Sequence, residues 1–308
     1  MVDDRGESMN ERATVRVALP GVLALAAALA GAGPEDAYRA EILKWRETRE
    51  ENLKKEGGWL SVSGLFWLKE GRNTFGASPG NDIVLPEGSS PGRAGSFDLR
   101  DGKVVIALDP GAPATVEGKP AGGRELLPDS SGTPDVLRLG RLSLHVIRRG
   151  ERLAIRLKDP ESAARKGFTG LSWFDVSPAA RVRARFVPYQ KPKPMRVPNV
   201  LGQSSDMPSP GYCLFQWDGR EVRLEGVFEE EDAKELFFIF RDETSGKETY
   251  PAGRFLYSEL PKDGEVTLDF NQAYNPPCAF TAFATCPLPP PQNWMPVAVA
   301  AGEKRYGH

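Results

Sequence analysis

Pairs in which glycine follows a polar residue recur along this chain: Glu70-Gly71, Asp101-Gly102, Glu117-Gly118, Arg149-Gly150, Asp218-Gly219, Ser245-Gly246 and Asp263-Gly264. Such pairs accept the left-handed backbone of tight hairpin turns, because glycine has no Cβ to clash. Between them lie short apolar or alternating segments, spaced by roughly ten residues as in all-β chains. Glycine (32) and proline (27) make up about a fifth of the 308 residues, against ~12% in ordinary proteins. Long helices are excluded from most of the chain, and a mainly β fold is expected.

One helix is expected first, within 33–58. Pro34, Glu35 and Asp36 suit a first turn, Tyr38, Ile42, Trp45 and Leu53 share a face, and Gly57-Gly58 stops it. The spacing predicts an amphipathic helix packed on a sheet, with no chemistry of its own. Strands are expected at 60–68, 81–85, 96–99, 103–108, 114–116, 136–139, 142–148 and 153–157, giving a β-sandwich-like half over 59–160. A second half, 161–308, is expected to form an antiparallel sheet or barrel-like body. Its strands are placed at 168–176, 181–187, 212–217, 221–227, 236–240, 254–257 and 265–270, with a proline-rich connection at 188–210 and a hairpin through 258–264.

Residues 71–147 resemble a forkhead-associated domain, a β-sandwich, through Gly71-Arg72, the run Asn81–Pro86, Ser89-Ser90, Gly118 and Leu137-Arg138-Leu139-Gly140. That resemblance implies a phosphothreonine-holding arginine at Arg72. The family's Ser-x-x-His element is unmatched, because Gly92 and Arg93 stand where the histidine is required. A protein-docking scaffold is one functional reading of this half.

The apolar run at 17–33, VALPGVLALAAALAGAG, follows Arg12 and Arg16 and carries Ala30-Gly31-Ala32, a small-x-small cleavage pattern. Residues 1–32 therefore read as a signal peptide, and the protein as exported, periplasmic or extracellular. An uncleaved anchor is the alternative, and Met9 an alternative start. No later segment reaches the ~20 apolar residues of a spanning helix. With 40 basic and 42 acidic residues, net −2, the chain lacks the basic excess of a nucleic-acid binder.

Several chemistries are excluded by residue type. No glycine-rich phosphate loop opens a helix, and no serine sits in Gly-x-Ser-x-Gly. His145 and His308 are the only histidines, Cys-x7-Cys is not a zinc spacing, and neither a metal nor a cofactor is expected. His145, inside the alternating strand LSLHVIRR, reads as a packed strand residue. Arg181, Arg183 and Arg185 share one strand face as anion-binding candidates, or as a solvated face paired with Glu221, Glu225 or Glu229.

The densest polar and aromatic segment is 269–294, DFNQAYNPPCAFTAFATCPLPPPQNW. Its prolines stiffen an irregular loop, where binding residues concentrate. Together with GWLSVSGLFWL (58–68) and LFFIFRDETSGKETYPAGRFLY (236–257), this segment resembles an uncharacterised bacterial and archaeal family, domain of unknown function 1684, over about residues 38–306. The resemblance implies no activity, substrate or catalytic residue.

A pocket in the second half is expected to bind a small molecule or peptide. Arg254 would meet an anion, and Tyr250, Asp269, Asn271, Tyr274 and Asn275 would complete the site. Cys278 and Cys286 are read as a disulfide, as a thiolate nucleophile at Cys278 near Arg254, or as packed thiols. An enzyme using Cys278 or Asp269 is the competing reading. Cys213 reads as core.

Overall fold

The computed structural model describes residues 33–230 and 232–307; the expected leader, 1–32, lies outside them. Helix α1 (Pro34–Lys54) has Glu35 and Asp36 in its first turn and Lys54 in its last, as the helix dipole favours. Its buried residues are Ile42, Arg46 and Leu53, so an arginine lies within the apolar stripe.

Eleven strands follow: β1 (Val62–Trp67), β2 (Gly71–Gly76), β3 (Ile83–Val84), β4 (Gly95–Arg100), β5 (Lys103–Leu108), β6 (Ala114–Val116), β7 (Lys119–Pro120), β8 (Glu125–Leu126), β9 (Val136–Leu139), β10 (Leu142–Arg149) and β11 (Arg152–Lys158). They form a six-stranded sheet, β1-β11-β10-β9-β6-β7, and a five-stranded sheet, β3-β2-β4-β5-β8. Phe75, Phe97, Val104 and Ile106 of one sheet share a core with Leu137, Leu144, Val146 and Ile155 of the other. The sandwich expected from the turn spacing is therefore present.

Its tight turns explain the sequence punctuation. Asp101, Glu117, Asp218 and Asp263 have φ of 50°, 52°, 48° and 51°, and each following glycine is also left-handed. Two successive positive φ values match the twist of the flanking strands. Since Leu144, Val146, Leu153 and Ile155 face the sandwich core, strand alternation turns His145, Ile147, Ala154 and Arg156 the other way. Ile147, Ala154 and Arg156 are nevertheless buried, because this face meets the C-terminal half: Arg149 Nε donates to Thr285 Oγ1 at 2.8 Å.

After a four-residue helix, α2 (Ala163–Lys166), come β12 (Arg181–Pro198), β13 (Ser204–Trp217), β14 (Arg220–Gly226), β15 (Glu235–Phe240), β16 (Arg254–Glu259) and β17 (Glu265–Asp269). A four-stranded antiparallel sheet, β14-β13-β12-β17, faces the two-stranded β15-β16. Phe215, Leu224 and Leu268 pack there against Phe238, Phe240 and Leu256, and a C-terminal strap adds Met295, Val297, Val299 and Ala301. One bridge, Val227 to Phe237, ties β14 to β15. Among the described residues no ladder joins β16 to β17, so the sheets do not close into a barrel. Residues 42–308 form a single compact unit. No helix of the described residues is long and apolar enough to cross a membrane.

Three expectations are corrected. Residues 168–176 hold no strand; the backbone there is held by Glu50, which accepts from Leu171 N, and by the bridge of Trp173 to Glu303. The proline-rich connection is not a loop but a long hairpin, with Pro188 opposite Gly211 and Pro194 opposite Pro208. There β12 runs beyond its pairing with β17, which covers only Arg181–Arg185, and an edge tolerates residues without an N–H. Finally, 258–264 crosses between sheets, so the strands carrying Arg254 and Asp269 are not hydrogen-bonded neighbours.

Candidate functional site

The alternation of β15 and β16 sends Phe238 and Leu256 into the inter-sheet core and Phe237, Phe255 and Tyr257 to the opposite side. There they meet Tyr274, which exchanges backbone hydrogen bonds with Phe255 at 2.9 and 3.0 Å. Phe237 stacks on Tyr257 with centroids 4.8 Å apart, Tyr257 faces Tyr274 at 6.3 Å, and Phe255 stands edge-on to both Phe237 and Tyr274. These rings line a cleft of about 420 Å³, together with Trp59, Arg49, Arg149, Glu229, Pro277, Thr285, Cys286 and Pro287. The volume suits one small organic molecule.

The cleft wall carries charges of both signs. Arg49, from α1, donates to Glu303 at 3.2 Å and to the Asn275 carbonyl at 2.9 Å, with its guanidinium 4.4 Å from the Tyr274 ring centre. Glu303 is fully buried, and that burial pushes its carboxyl up while Arg49 and Asn275 pull it back. The helix therefore does carry chemistry, contrary to expectation: a buried carboxylate beneath it needs a cation. Arg149, at the end of β10, is held by Asp129 at 2.7 Å. Glu229, also on the cleft wall, accepts a hydrogen bond from the Tyr257 hydroxyl, and burial pushes both groups up.

Arg156 is the anomaly. It is 5% exposed, and its Nε and Nη2 have no hydrogen-bond partner. Its guanidinium lies 5.2 Å from the Trp59 ring centre. Burial lowers it to about 10, and the charge of Arg149 adds to the effect. Buried donors left unpaired cost about 1–3 kcal/mol each, so a charged acceptor here would be strongly held.

Cys278 and Cys286 are adjacent but unbonded, so the expected disulfide is absent and both are free thiols. The Cys278 N–H donates to Cys286 Sγ at 3.2 Å, and Tyr250 donates its hydroxyl to the Cys278 carbonyl at 3.0 Å. The hydrogen bond from Cys286 lowers the Cys278 thiol to about 7, while the same contact and burial push Cys286 up. Cys213 is buried in the core and pushed up to about 12 by burial alone.

The expected convergence of Arg254, Tyr250, Asp269 and Asn271 does not occur. Arg254 is fully buried, paired with Asp242 at 2.9 Å, and donates to the carbonyls of Val299 and Ala301. No ligand reaches it. Asp269 accepts from the backbone and side chain of Asn271, and Asn271, also fully buried, ties the loop at Ser177 through hydrogen bonds of 2.9 and 2.8 Å. A carboxylate committed to its own turn makes a poor general base. Asn275 is buried, with its Nδ2 on Glu303 and the Lys304 carbonyl. Tyr250 supports the thiol pair, and of the expected ligand-binding residues Tyr274 alone lines the cleft. Arg181, Arg183 and Arg185 lie exposed on one face, where Arg183 pairs with Glu265, also exposed, rather than with an acid of β14. Arg72 pairs with Asp98 at 3.6 Å, and Ser89 and Ser90 bond their own loop.

Arg49, Arg149, Arg156, Glu229, Tyr257 and Thr285 were not legible as site residues. Arg156 gave no signal, because Arg152 and Lys158 share its face of the strand and the three read together as an ordinary solvated face.

A search of the curated proteins finds no match. Among solved structures, the chain is similar to an uncharacterized protein of Haloarcula marismortui determined by solution NMR, with 35% identity over 46% of this chain and 78% of that one, and a TM-score of 0.39. The family profile described as Protein of unknown function (DUF1684) matches residues 166–304, which leaves out the block at 58–68. Residues 166–304 hold β12 to β17, the thiol pair and most of the aromatic wall, and through them the chain belongs to the DUF1684 family.

Proposed function

We propose that the cleft binds a small organic anion with a flat apolar body, an aryl carboxylate or a close equivalent. The observation that carries this reading is the buried guanidinium of Arg156, which lacks an acceptor on two nitrogens and lies against Trp59, a residue that lines the aromatic-walled cleft together with Arg149. Guanidinium forks match carboxylates in two parallel hydrogen bonds. The rings of Phe237, Tyr257 and Tyr274 supply apolar surface for the body, and Glu229 with Tyr257 offers an acceptor on the same wall. A cleft of about 420 Å³ favours a single small molecule over an extended peptide.

The test is thermal denaturation with indole-3-acetate and benzoate against the neutral indole-3-acetamide and benzamide. The acids are expected to raise Tm and the amides not, since a ligand held only by the folded state stabilises it. Arg156→Met removes an uncompensated buried charge, which leaves stability equal or higher, and it is expected to abolish the shift. Equal shifts from acids and amides, or none from either, refute the reading. The same reading takes the protein to meet its ligand outside the cytoplasm, after export behind residues 1–32.

A further inference from the structure

We infer that Cys278 and Cys286 form a thiol–disulfide exchange couple, with Cys278 the attacking sulfur and Cys286 the resolving one. This goes beyond the binding proposal and does not depend on it. Two sulfurs are brought together by a stiff segment: Pro276 and Pro277 lead into a single 3-10 turn at Pro277–Ala279 that places the Cys278 N–H 3.2 Å from Cys286 Sγ. The two are unequal in access, Cys278 half-buried and Cys286 only 4% exposed. They are unequal in surroundings too. The Cys286 thiol lowers Cys278, whereas Cys286 is itself buried in the apolar cluster of Phe237, Phe255 and Ala284, against which Cys278 packs only partly buried. The charge of Arg156 acts on Cys286, and that of Arg305 on Tyr250. One accessible sulfur stabilised as thiolate by a second, sheltered thiol is the arrangement exchange requires.

The co-reactant is a low-molecular-weight disulfide, RSSR, small enough to meet the half-buried Cys278. The Cys278 thiolate attacks one sulfur; a Cys278–SR bond forms as the RS–SR bond breaks, and the departing thiolate takes a proton from water. Cys286 then gives its proton to water and attacks Cys278 Sγ, forming the Cys278–Cys286 bond and releasing the second RS⁻, which is protonated. The protein loses two electrons and two protons, and RSSR becomes two RSH.

The experiment treats the reduced full chain with oxidised glutathione, quenches with N-ethylmaleimide and reads intact mass and peptide maps. Wild type is expected to lose two alkylatable thiols and keep no glutathione. Cys286→Ser is expected to hold one glutathione on Cys278, and Cys278→Ser to form no adduct over the same time. In unmutated protein, Cys278 is expected to alkylate at least tenfold faster than Cys213 or Cys286 at neutral pH, roughly the ratio set by its larger thiolate fraction. Its rate is expected to have a midpoint of about pH 7. A wild type that stays inert, retains glutathione, or carries a disulfide that dithiothreitol does not open overturns the inference, as does a Cys278→Ser variant that reacts as fast as Cys286→Ser. Carboxylate binding is read separately, by Tm, so either idea can fail alone.

Discussion

Replacing Arg254 by alanine should unfold this protein rather than disable a site. The guanidinium is 0% exposed, bonds Asp242 at 2.9 Å and Val299 O at 2.9 Å, and reaches Ala301 O as well. Asp242 is equally buried and accepts from Thr244 N, Thr244 Oγ1 and Val299 N. Alanine leaves that carboxylate charged in a dry interior, which costs about 3–5 kcal/mol, and strips two carbonyls of their donors at about 1 kcal/mol or more each. The sum, roughly 5–7 kcal/mol, rivals the 5–15 kcal/mol that stabilises an ordinary domain. Urea unfolding followed by tryptophan fluorescence is the assay. The Arg254→Ala midpoint is expected to fall by about half or more, or the variant to be insoluble. Arg254→Met combined with Asp242→Asn leaves no buried charge and is expected to lose less than the single substitution. An Arg254→Ala variant that unfolds with its parent yet no longer responds to aryl carboxylates would show that the guanidinium serves a ligand, and the reasoning from burial would be wrong.

Four further outcomes are expected. Burial, with smaller effects of Lys158 and Arg156, lowers His145 from the ordinary 6.5 to about 4; the unfolded chain takes this proton first. Stability should therefore be level above pH 6.5, fall by up to about 3 kcal/mol as pH drops toward 4, and lose that slope in His145→Gln. Arg183→Ala should change stability by no more than about 0.5 kcal/mol, because both partners of its ion pair are exposed; a larger loss in urea would reinstate the arginine stripe as a structured site. Gly302 sits at φ 81° with Ala273 O 2.4 Å from where a Cβ would stand, so Gly302→Ala should lower the urea midpoint by the equivalent of more than about 1 kcal/mol. Expression from Met1 in a secreting bacterial host should yield a periplasmic chain shortened by residues 1–32, and intact mass of the full sequence there would contradict the leader.

The parts legible in the sequence are those whose requirement is local. Asp101-Gly102 and Asp263-Gly264 announce left-handed turns by residue type alone, and alternation around them placed most strands. Pro188 and Pro194 misled because a proline is tolerable or fatal according to which strand edge lies open, a tertiary fact. Arg254 misled for a related reason: no local pattern separates a guanidinium meeting a ligand from one sealed against Asp242, twelve residues away. Arg49 and Glu303 stand 254 residues apart, so their pairing has no signature in either neighbourhood. Tyr274 was legible because Pro276 and Pro277 follow it closely, whereas Tyr257 and Glu229 became site residues only through the way two sheets meet.

The strap from Met295 to Ala301 supplies four side chains to the inter-sheet core, and its backbone bonds both Arg254 and Asp242. During vectorial synthesis that core stays open, with a buried-pair arginine still in water, until the strap has been made. The C-terminal half thus gains its cooperativity late, in one step, while the sandwich closes earlier from strands already complete. A chain interrupted upstream of Met295 would lack those four side chains and the backbone partners of Arg254 and Asp242, so its C-terminal half would be expected to stay open.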